Sequence, residues 1–353
     1  MKIFLRILST VAVVGMILLL LSAFSNHFSP VNYPYMAYLG LFFPFILAFN
    51  VALLVFWVVA RKLTQICSTL IVLAICWGSI HTYFPWSKKN QIVPENCIKV
   101  LTYNTMRFGD MTEHTKENPN PILKYVIEND PDIVCFQEYF PDNDLTDAVI
   151  KKALSKFPYS YQTQAFIAIF SKFPISAGKE IPIESDGNGA FSVELDIHGK
   201  KVTLINNHLE STKLTLDEKS VYYNITRDPD AEKVNIFAHT MYHKLTPAYK
   251  LRARQADVIS KAIKESKNPY IIVCGDFNDT PISYARRTIK GDLVDSFVES
   301  GRGMGISFHQ NRFFFRIDYI FHSKNMKAYA CRVDNRIPTS DHYPVWTYLQ
   351  FVD

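Results

Sequence analysis

The first quarter of the sequence has almost no charge. Residues 1–96 contain six Lys or Arg and a single acid, Glu95. Cysteine is also sparse. There are six, with no CxxC pair, so the sequence offers no zinc site. Cys67 and Cys76 lie in an apolar stretch, and Cys135 and Cys274 lie in runs that read as buried strands. Cys97 and Cys331 remain, free to pair if their domain faces an oxidising compartment. Residues 97–353 lack any excess of positive charge: six of the chain's 38 Lys and Arg and one of its 33 acids fall before residue 97, which leaves 32 of each sign. A formally neutral domain weakens the case for a large nucleic-acid footprint, which needs a net or clustered positive surface. A local basic groove stays open. No internal repeat or low-complexity segment occurs.

Three long apolar stretches fill the charge-poor quarter, at about 7–24, 37–60 and 63–84. Each is long enough to cross a bilayer, which predicts a membrane anchor over residues 1–90 with about three transmembrane helices. A signal peptide with Lys2 and Arg6 as its n-region is the rival for the first stretch, but two further spans follow it. The second stretch contains Pro44 and Asn50. The third is less purely apolar, and a re-entrant or interfacial hairpin is its alternative. Lys2 and Arg6 put the N-terminus in the cytoplasm, the 25–36 loop has no Lys or Arg, and Arg61 and Lys62 return the chain to the cytoplasm. A third span then exports the rest, with Lys88 and Lys89 weakly opposed. Lipid bilayer is therefore the first expected partner. The expected location is the cytoplasmic membrane, with the soluble domain outside the cytoplasm.

After a short linker at 85–96, strands predominate with helices interspersed. Ile98–Tyr103 reads as a strand ending at Asn104, and residues 121–129 as a helix. "DIVCFQEY" (132–139) reads as a strand ending in Gln137-Glu138. "AFIAIFSKFPI" (165–175) gives a strand and a turn, and residues 191–211 give two strands joined at His198-Gly199-Lys200. Residues 247–266 carry an amphipathic pattern with Leu251, Ala256, Ile259 and Ile263 on one face. Strand 270–275 and two final strands follow. The fold class is α/β: a four-layer sandwich of two mainly antiparallel sheets flanked by helices, preceded by the transmembrane helices.

Polar residues recur where these strands end: Asn104, Glu138, Asn206 with His208, Asp276 with Asn278, Asp318, and Asp341 with His342. Sites are usually assembled from such loops on a rigid scaffold. Hard carboxylate oxygens such as those of Glu138 and Asp341 suit Mg²⁺. Amides hold phosphate oxygens or water without adding charge. Histidines near neutral pKa donate protons or stabilise developing charge. Singly, each has a plainer reading: Asp-x-Asn as a turn, Glu138 as a surface acid, His208 as a core histidine, Asp318 as a salt bridge.

Six motifs in order decide against the plainer readings. "LTYN", "FQE", "NNHLES", "GDFN", "RIDYIF" and "SDHYPV" resemble the motifs of the endonuclease/exonuclease/phosphatase superfamily, the DNase I-like phosphoesterases, over residues 97–353. The resemblance implies a metal-dependent phosphoric ester hydrolase acting by in-line water attack. Its cofactor would be Mg²⁺, with Mn²⁺ as a substitute. Carried over, Glu138 is the principal metal ligand, and Asn104 and Asp341 complete or support the metal site. Asp276 orients or deprotonates the attacking water. Asn278 holds a phosphate oxygen. His342 contacts the scissile phosphate, oriented by Asp318, and His208 is an acid or charge stabiliser. Asn104, Asn278 and Asn206 form the substrate-binding set.

Other residues keep plain readings. Arg252 and Arg254 are read as a solvated helix face, and Tyr222, Tyr223 and Tyr242 as packing. A helical insertion at about 211–246, broken at Asp228-Pro229, either roofs the site or lies at the periphery. The substrate stays open between nucleic acid, a lipid head group and a small phosphodiester or phosphomonoester. A silent binding module or a membrane scaffold that keeps the fold is the alternative function.

Overall fold

The computed structural model describes residues 2–87, 90–110, 112, 114–115, 117–185, 187–215, 217–218, 220–221 and 230–352. Lys88, Lys89, Tyr222, Tyr223 and the expected break at Asp228-Pro229 lie outside the described residues. The strands, in chain order, are β1 (Ile98–Asn104), β2 (Ile133–Gln137), β3 (Tyr159–Gln162), β4 (Ala168–Ser171), β5 (Ile175–Ile181), β6 (Gly189–Ile197), β7 (Lys200–His208), β8 (Tyr270–Asp276), β9 (Val294–Asp295), β10 (Asp318–His322), β11 (Met326–Val333) and β12 (Val345–Phe351). The helices used below are α1 (Lys2–Ala23), α2 (Pro34–Leu41), α3 (Phe43–Val59), α4 (Leu63–Ile75), α5 (Trp77–Tyr83), α6 (Pro121–Asn129), α7 (Asp147–Ala153), α8 (Ala231–Glu265) and α9 (Tyr284–Lys290).

The strands form two six-stranded sheets, ordered β11-β12-β1-β2-β4-β3 and β5-β6-β7-β8-β10-β9. Among the described residues, only β1–β2 and β7–β8 run parallel. β1 and β2 are buried along their whole length, as strands covered on both faces must be. Alternation sorts their residues into layers. Val100, Cys135, Leu204, Cys274 and Ile320 meet between the sheets. Leu101, Tyr103, Val134 and Phe136 turn outward onto α6 and α7. Ile205, Val273 and Phe321 turn the other way onto α8 and α9. The result is helix, sheet, sheet, helix, the four layers expected. Local chemistry sets the connections. Asn120 caps α6 ahead of Pro121, where a missing N–H costs nothing. His198 and Gly199 both take positive φ in the β6–β7 hairpin, as a tight primed turn requires.

Two expectations change. The amphipathic pattern expected to begin at residue 247 is the second half of one helix, α8, which starts at Ala231 behind the cap of Asp230 and runs through Pro247. Residues 231–246 of the expected insertion are therefore continuous with it. The second and third apolar stretches are also not straight. α2 and α3 are bent by 56° and α4 and α5 by 64°. Pro44 stands in the first turn of α3, where its ring cannot continue a preceding turn. Gly78 and Ser79 follow the second break, a pairing often found at kinks. Among the described residues one helix, at the N-terminus, is long and apolar enough to cross a membrane, or up to three by length and composition if each bent pair is one span.

The N-terminal helices and the sandwich touch at one edge. Ile282, just past the GDFNDTP stretch, is buried among Leu19, Phe43, Leu47 and Tyr83 of those helices. Gly40 of α2 lies so close that a Cβ there would be 2.2 Å from the Ile282 carbonyl oxygen. Arg316, next to β10, is buried and donates to the Thr82 carbonyl of α5. Tyr38 of α2 bonds Thr246 of α8 at 2.7 Å. Cys97 and Cys331 are both free thiols.

Candidate active site

Each parallel pair delivers its polar ends to the same rim. Asn104 is opposite Gln137, His208 is opposite Asp276, and Asp318 faces Asp276 across the antiparallel β8–β10 pair. Glu138 follows β2 with φ of +52°, and this left-handed step accompanies its contact with Asn104. Gly275 allows β8 to pass β7: a Cβ there would lie 1.9 Å from the Asn207 carbonyl oxygen. Asn278, at φ of +50°, closes a turn in which its N–H donates to Asp276 Oδ1 at 2.8 Å.

Asp276 is the centre. Its Oδ2 lies 3.5 Å from His208 Nε2 and 3.6 Å from His342 Nε2. Asn104 donates to it at 3.1 Å and to Glu138 Oε1 at 3.1 Å. His342 Nδ1 meets Asp318 Oδ2 at 2.9 Å, which leaves Nε2 to face the centre. Ser340 ties the last motif down: its hydroxyl donates to the Asn104 carbonyl and accepts from the His342 N–H. Glu138, His208, Asp276, Asn278 and Asp341 line one cavity, while Asn104, Asp318 and His342 stand behind them.

Burial pushes the Asp276 carboxyl up to about 6, with Asp318 adding to it against the pull of both histidines. Burial also raises Glu138, against the hydrogen bond from Asn104. For His342 burial works downward, but Asp318, Asp276 and Asp341 together carry the imidazole up to about 10. His208 is lowered by burial in spite of Asp276. The centre therefore pairs a carboxylate that titrates near neutrality with one histidine held protonated and one held neutral.

Asn206 does not join them. It is wholly buried, and its Nδ2 donates to the carbonyls of Phe136 and Ala168 while its Oδ1 accepts from Gln137 at 2.7 Å. It shares a face with His208 but sits one strand repeat deeper, in a polar tier with Thr102 and Gln137. All of its bonds are spent on joining the sheets, so the expected substrate contact is corrected to a structural one.

Arg252 is the second correction. It is buried, not solvated: its Nε donates to Asp279 Oδ2 at 3.3 Å and its Nη1 to the Glu210 carbonyl at 2.9 Å. A charge taken from water needs such a partner, and Asp279, the second acid of GDFND, supplies it. Arg254, half exposed, pairs with Glu184. Phe308, which the sequence reading passed over, packs its ring 5.1 Å from that of His342.

The donor chemistry fits a hard divalent cation. Four carboxylates, those of Glu138, Asp276, Asp318 and Asp341, share this edge with two histidines. One buried oxygen, Asp318 Oδ1, has no hydrogen-bond partner among the described residues. Asp276, Asp318 and His342 bring ligand atoms within 4.8 Å of one another. The Asp318–His342 bond already occupies that group, so the hard oxygens of Glu138 and Asp341 are the better match for Mg²⁺.

Comparison with known proteins adds to this geometry. A model described as the Endonuclease/Exonuclease/phosphatase family matches residues 101–342. A second, described as a domain of unknown function (DUF8431), matches residues 3–83. No curated protein matches the chain. Among solved structures, the endonuclease/exonuclease/phosphatase from Bacteroides vulgatus is similar with a TM-score of 0.51 and 15% identity, over 73% of this chain and 100% of that one. D. rerio TDP2, complexed with single-strand DNA product, gives 0.51 and 16%, over 72% and 100%. The human Nocturnin catalytic domain with bound sulfate gives 0.50 and 16%, over 72% and 94%. At such identities the likeness shows the fold.

Proposed function

The chain belongs to the endonuclease/exonuclease/phosphatase family, and on that premise we propose that it is a membrane-anchored, Mg²⁺-dependent phosphoesterase. It hydrolyses a phosphodiester or phosphomonoester by in-line attack of water. The observation that carries this reading is the convergence on Asp276 of side chains from the five other motifs, Asn104, His208, His342, Asp318 through His342, and Glu138 through Asn104, with Asn278 from its own.

Each residue has work that its surroundings support. Asp276, with its carboxyl near 6, takes the proton of the attacking water, a role that favours a base titrating close to the working pH. His342, protonated and fixed by Asp318, presents Nε2 to a phosphoryl oxygen, where charge grows as the bond forms. His208, neutral at the same pH, stabilises that charge through its ring N–H, and the leaving oxygen takes its proton from His342. Asn278 and Asn104 position phosphate oxygens and Glu138. Glu138 would hold Mg²⁺, or Mn²⁺, with Asn104 and Asp341 completing or supporting the site, and the ion when bound neutralises phosphoryl charge and orients its oxygens.

The test uses full-length protein with bis-p-nitrophenyl phosphate, single-strand DNA and a phosphomonoester, in Mg²⁺ and in EDTA. Turnover should need the metal. Glu138→Gln should remove most of it, and Asp276→Asn should lower kcat by about 10²–10⁴ with little change in KM. A folded wild type that turns over nothing in Mg²⁺ would leave the fold as a silent binding module.

Location belongs to the same proposal. The catalytic unit stands outside the cytoplasm of a bacterial cell, because Arg6 and the Arg61-Lys62 pair flank alternate connections. An alkaline phosphatase fused after Asp353 should be active. An inactive fusion beside a fluorescent cytoplasmic one would reverse the orientation.

A further inference from the structure

The cavity that holds Asp276 has a lining of mixed character. Its volume is about 250 Å³. Glu138, His208, Asp276, Asn278 and Asp341 give it polar groups. Leu41 of α2, Met241 and Leu245 of α8, and Phe313 and Phe315 of the loop before β10 give it an apolar wall. Phe308, which also lines the cavity, packs its ring on His342 and bridges to Phe315. A site for water and phosphate alone has no need of this apolar wall.

The wall's composition points to its occupant. Leu41 is the last residue of α2, in the apolar anchor, and the next residues present Phe42 and Phe45 outward at 51% and 63% exposure. Leu39 and Phe42 also line a second, wholly separate groove against α1, of about 560 Å³, whose lining is apolar apart from Thr10. Through Ile282 and Gly40, the edge of the sandwich that carries the site is the edge fastened to the anchor. The basic side chains that line the cavity are engaged: Arg252 with Asp279, and Lys213 with Glu210. A nucleic-acid strand draws its affinity from cations set along its path. An alkyl chain needs none.

We propose that the substrate is a membrane amphiphile, a phosphate ester carrying a long alkyl chain. Its phosphate meets Asp276, His208 and Glu138, and its chain lies against Leu41, Met241, Leu245 and the Phe313–Phe315 wall. This rests on the phosphoesterase reading. In the reaction the water oxygen bonds to phosphorus as its proton passes to Asp276. The bond from phosphorus to the leaving oxygen breaks, and that oxygen takes up the proton of His342, which the proton held on Asp276, 3.6 Å away, then replaces. Water is added across the ester, with no oxidant or second substrate.

The test is a series of alkyl p-nitrophenyl phosphates, from ethyl to octyl, with full-length protein in nanodiscs and Mg²⁺. The leaving group is constant, so only the chain varies. kcat/KM should rise at least about tenfold along the series, since each methylene removed from water is worth up to about fourfold. Partition into the disc is common to all proteins compared, so Met241→Glu should flatten the rise to within about twofold. As a readout independent of turnover, Asp276→Asn protein should be photolabelled at Leu41 or Met241 by an octyl phosphate with a terminal diazirine, and octyl phosphate should compete.

Hydrolysis of the ethyl ester with no dependence on chain length would overturn the lipid inference and leave the phosphoesterase reading intact. So would equal slopes in wild type and Met241→Glu, or a higher kcat/KM on single-strand DNA than on the octyl ester. Competed labelling without hydrolysis of any ester would keep the amphiphile as a ligand and remove the catalytic reading. Neither labelling nor hydrolysis would remove both. If Met241→Glu does not fold, the labelling result decides.

Discussion

Gly275 shows how much one residue can fix. Its φ is +137°, and a Cβ would meet the Asn207 carbonyl at 1.9 Å. That oxygen belongs to the neighbouring strand's backbone, so the parallel pair that carries His208 and Asp276 would have to part. Gly275→Ala should cost about 3 kcal/mol or more, the sum of an unfavourable φ and a clash that cannot relax. Gly303 has φ of +79° but open space around it, so Gly303→Ala isolates the φ contribution, about 1–2 kcal/mol. Thermal unfolding should show Gly275→Ala well below Gly303→Ala, and equal melting temperatures would dismiss the close approach as the reason for this glycine. The sequence announced Gly275 only as part of a motif; the need for it lies at Asn207 in β7, far earlier in the chain. Separation along the chain also hid Arg252, 27 residues from its partner. A helical arginine reads as solvated until Asp279 is known to stand beside it. Asn206 was hidden differently. Its face was legible from its spacing to His208, but period-2 spacing cannot tell a rim position from the tier below.

At the scale of elements, the site is a consequence of where strands stop. The strands β1, β7, β8 and β10 were readable, and so were the polar residues at their ends, because buried strands are apolar and the change to polar is abrupt. What could not be read was the electrostatics that follow when four ends meet. Asp318, at the first residue of β10, controls two groups at once: it raises His342 and it raises Asp276. If His342 acts protonated, activity is full below its pKa and falls as pH rises through about 10. If Asp276 acts ionised, activity is lost as pH falls through about 6. Asp318→Asn removes one negative charge from beside both, so both pKa values drop. The bell-shaped kcat/KM profile should therefore slide to lower pH at both limbs, besides losing height. A profile of unchanged position would show that Asp318 only supports the fold.

On the scale of the whole molecule, the N-terminal helices are packed against the edge of the sandwich that carries Asp276. Hydropathy marked the three apolar stretches but could not mark their bends, because composition carries no direction, nor could it show that α2 would lie against the loop after Asp276. Gly40 is where the two meet. A Cβ would stand 2.2 Å from the Ile282 carbonyl and 2.8 Å from the Ser25 hydroxyl. Ile282 is four residues from Asn278 and six from Asp276, on a segment pinned at Asp279 by Arg252. A valine at position 40 must push that backbone away, since a carbonyl in a buried loop has no rotamer to yield. Gly40→Val should therefore raise amide exchange across residues 277–283 and lower kcat on bis-p-nitrophenyl phosphate several-fold, although position 40 does not line the catalytic cavity. Gly78, in α5, has nothing within 4 Å of its would-be Cβ, and Gly78→Ala should change neither measurement. If Gly40→Val exchanges and turns over like wild type, α2 is a tether that merely rests on the sandwich. If exchange rises across 277–283 and kcat falls with it, the anchor helps to hold the catalytic loop in place.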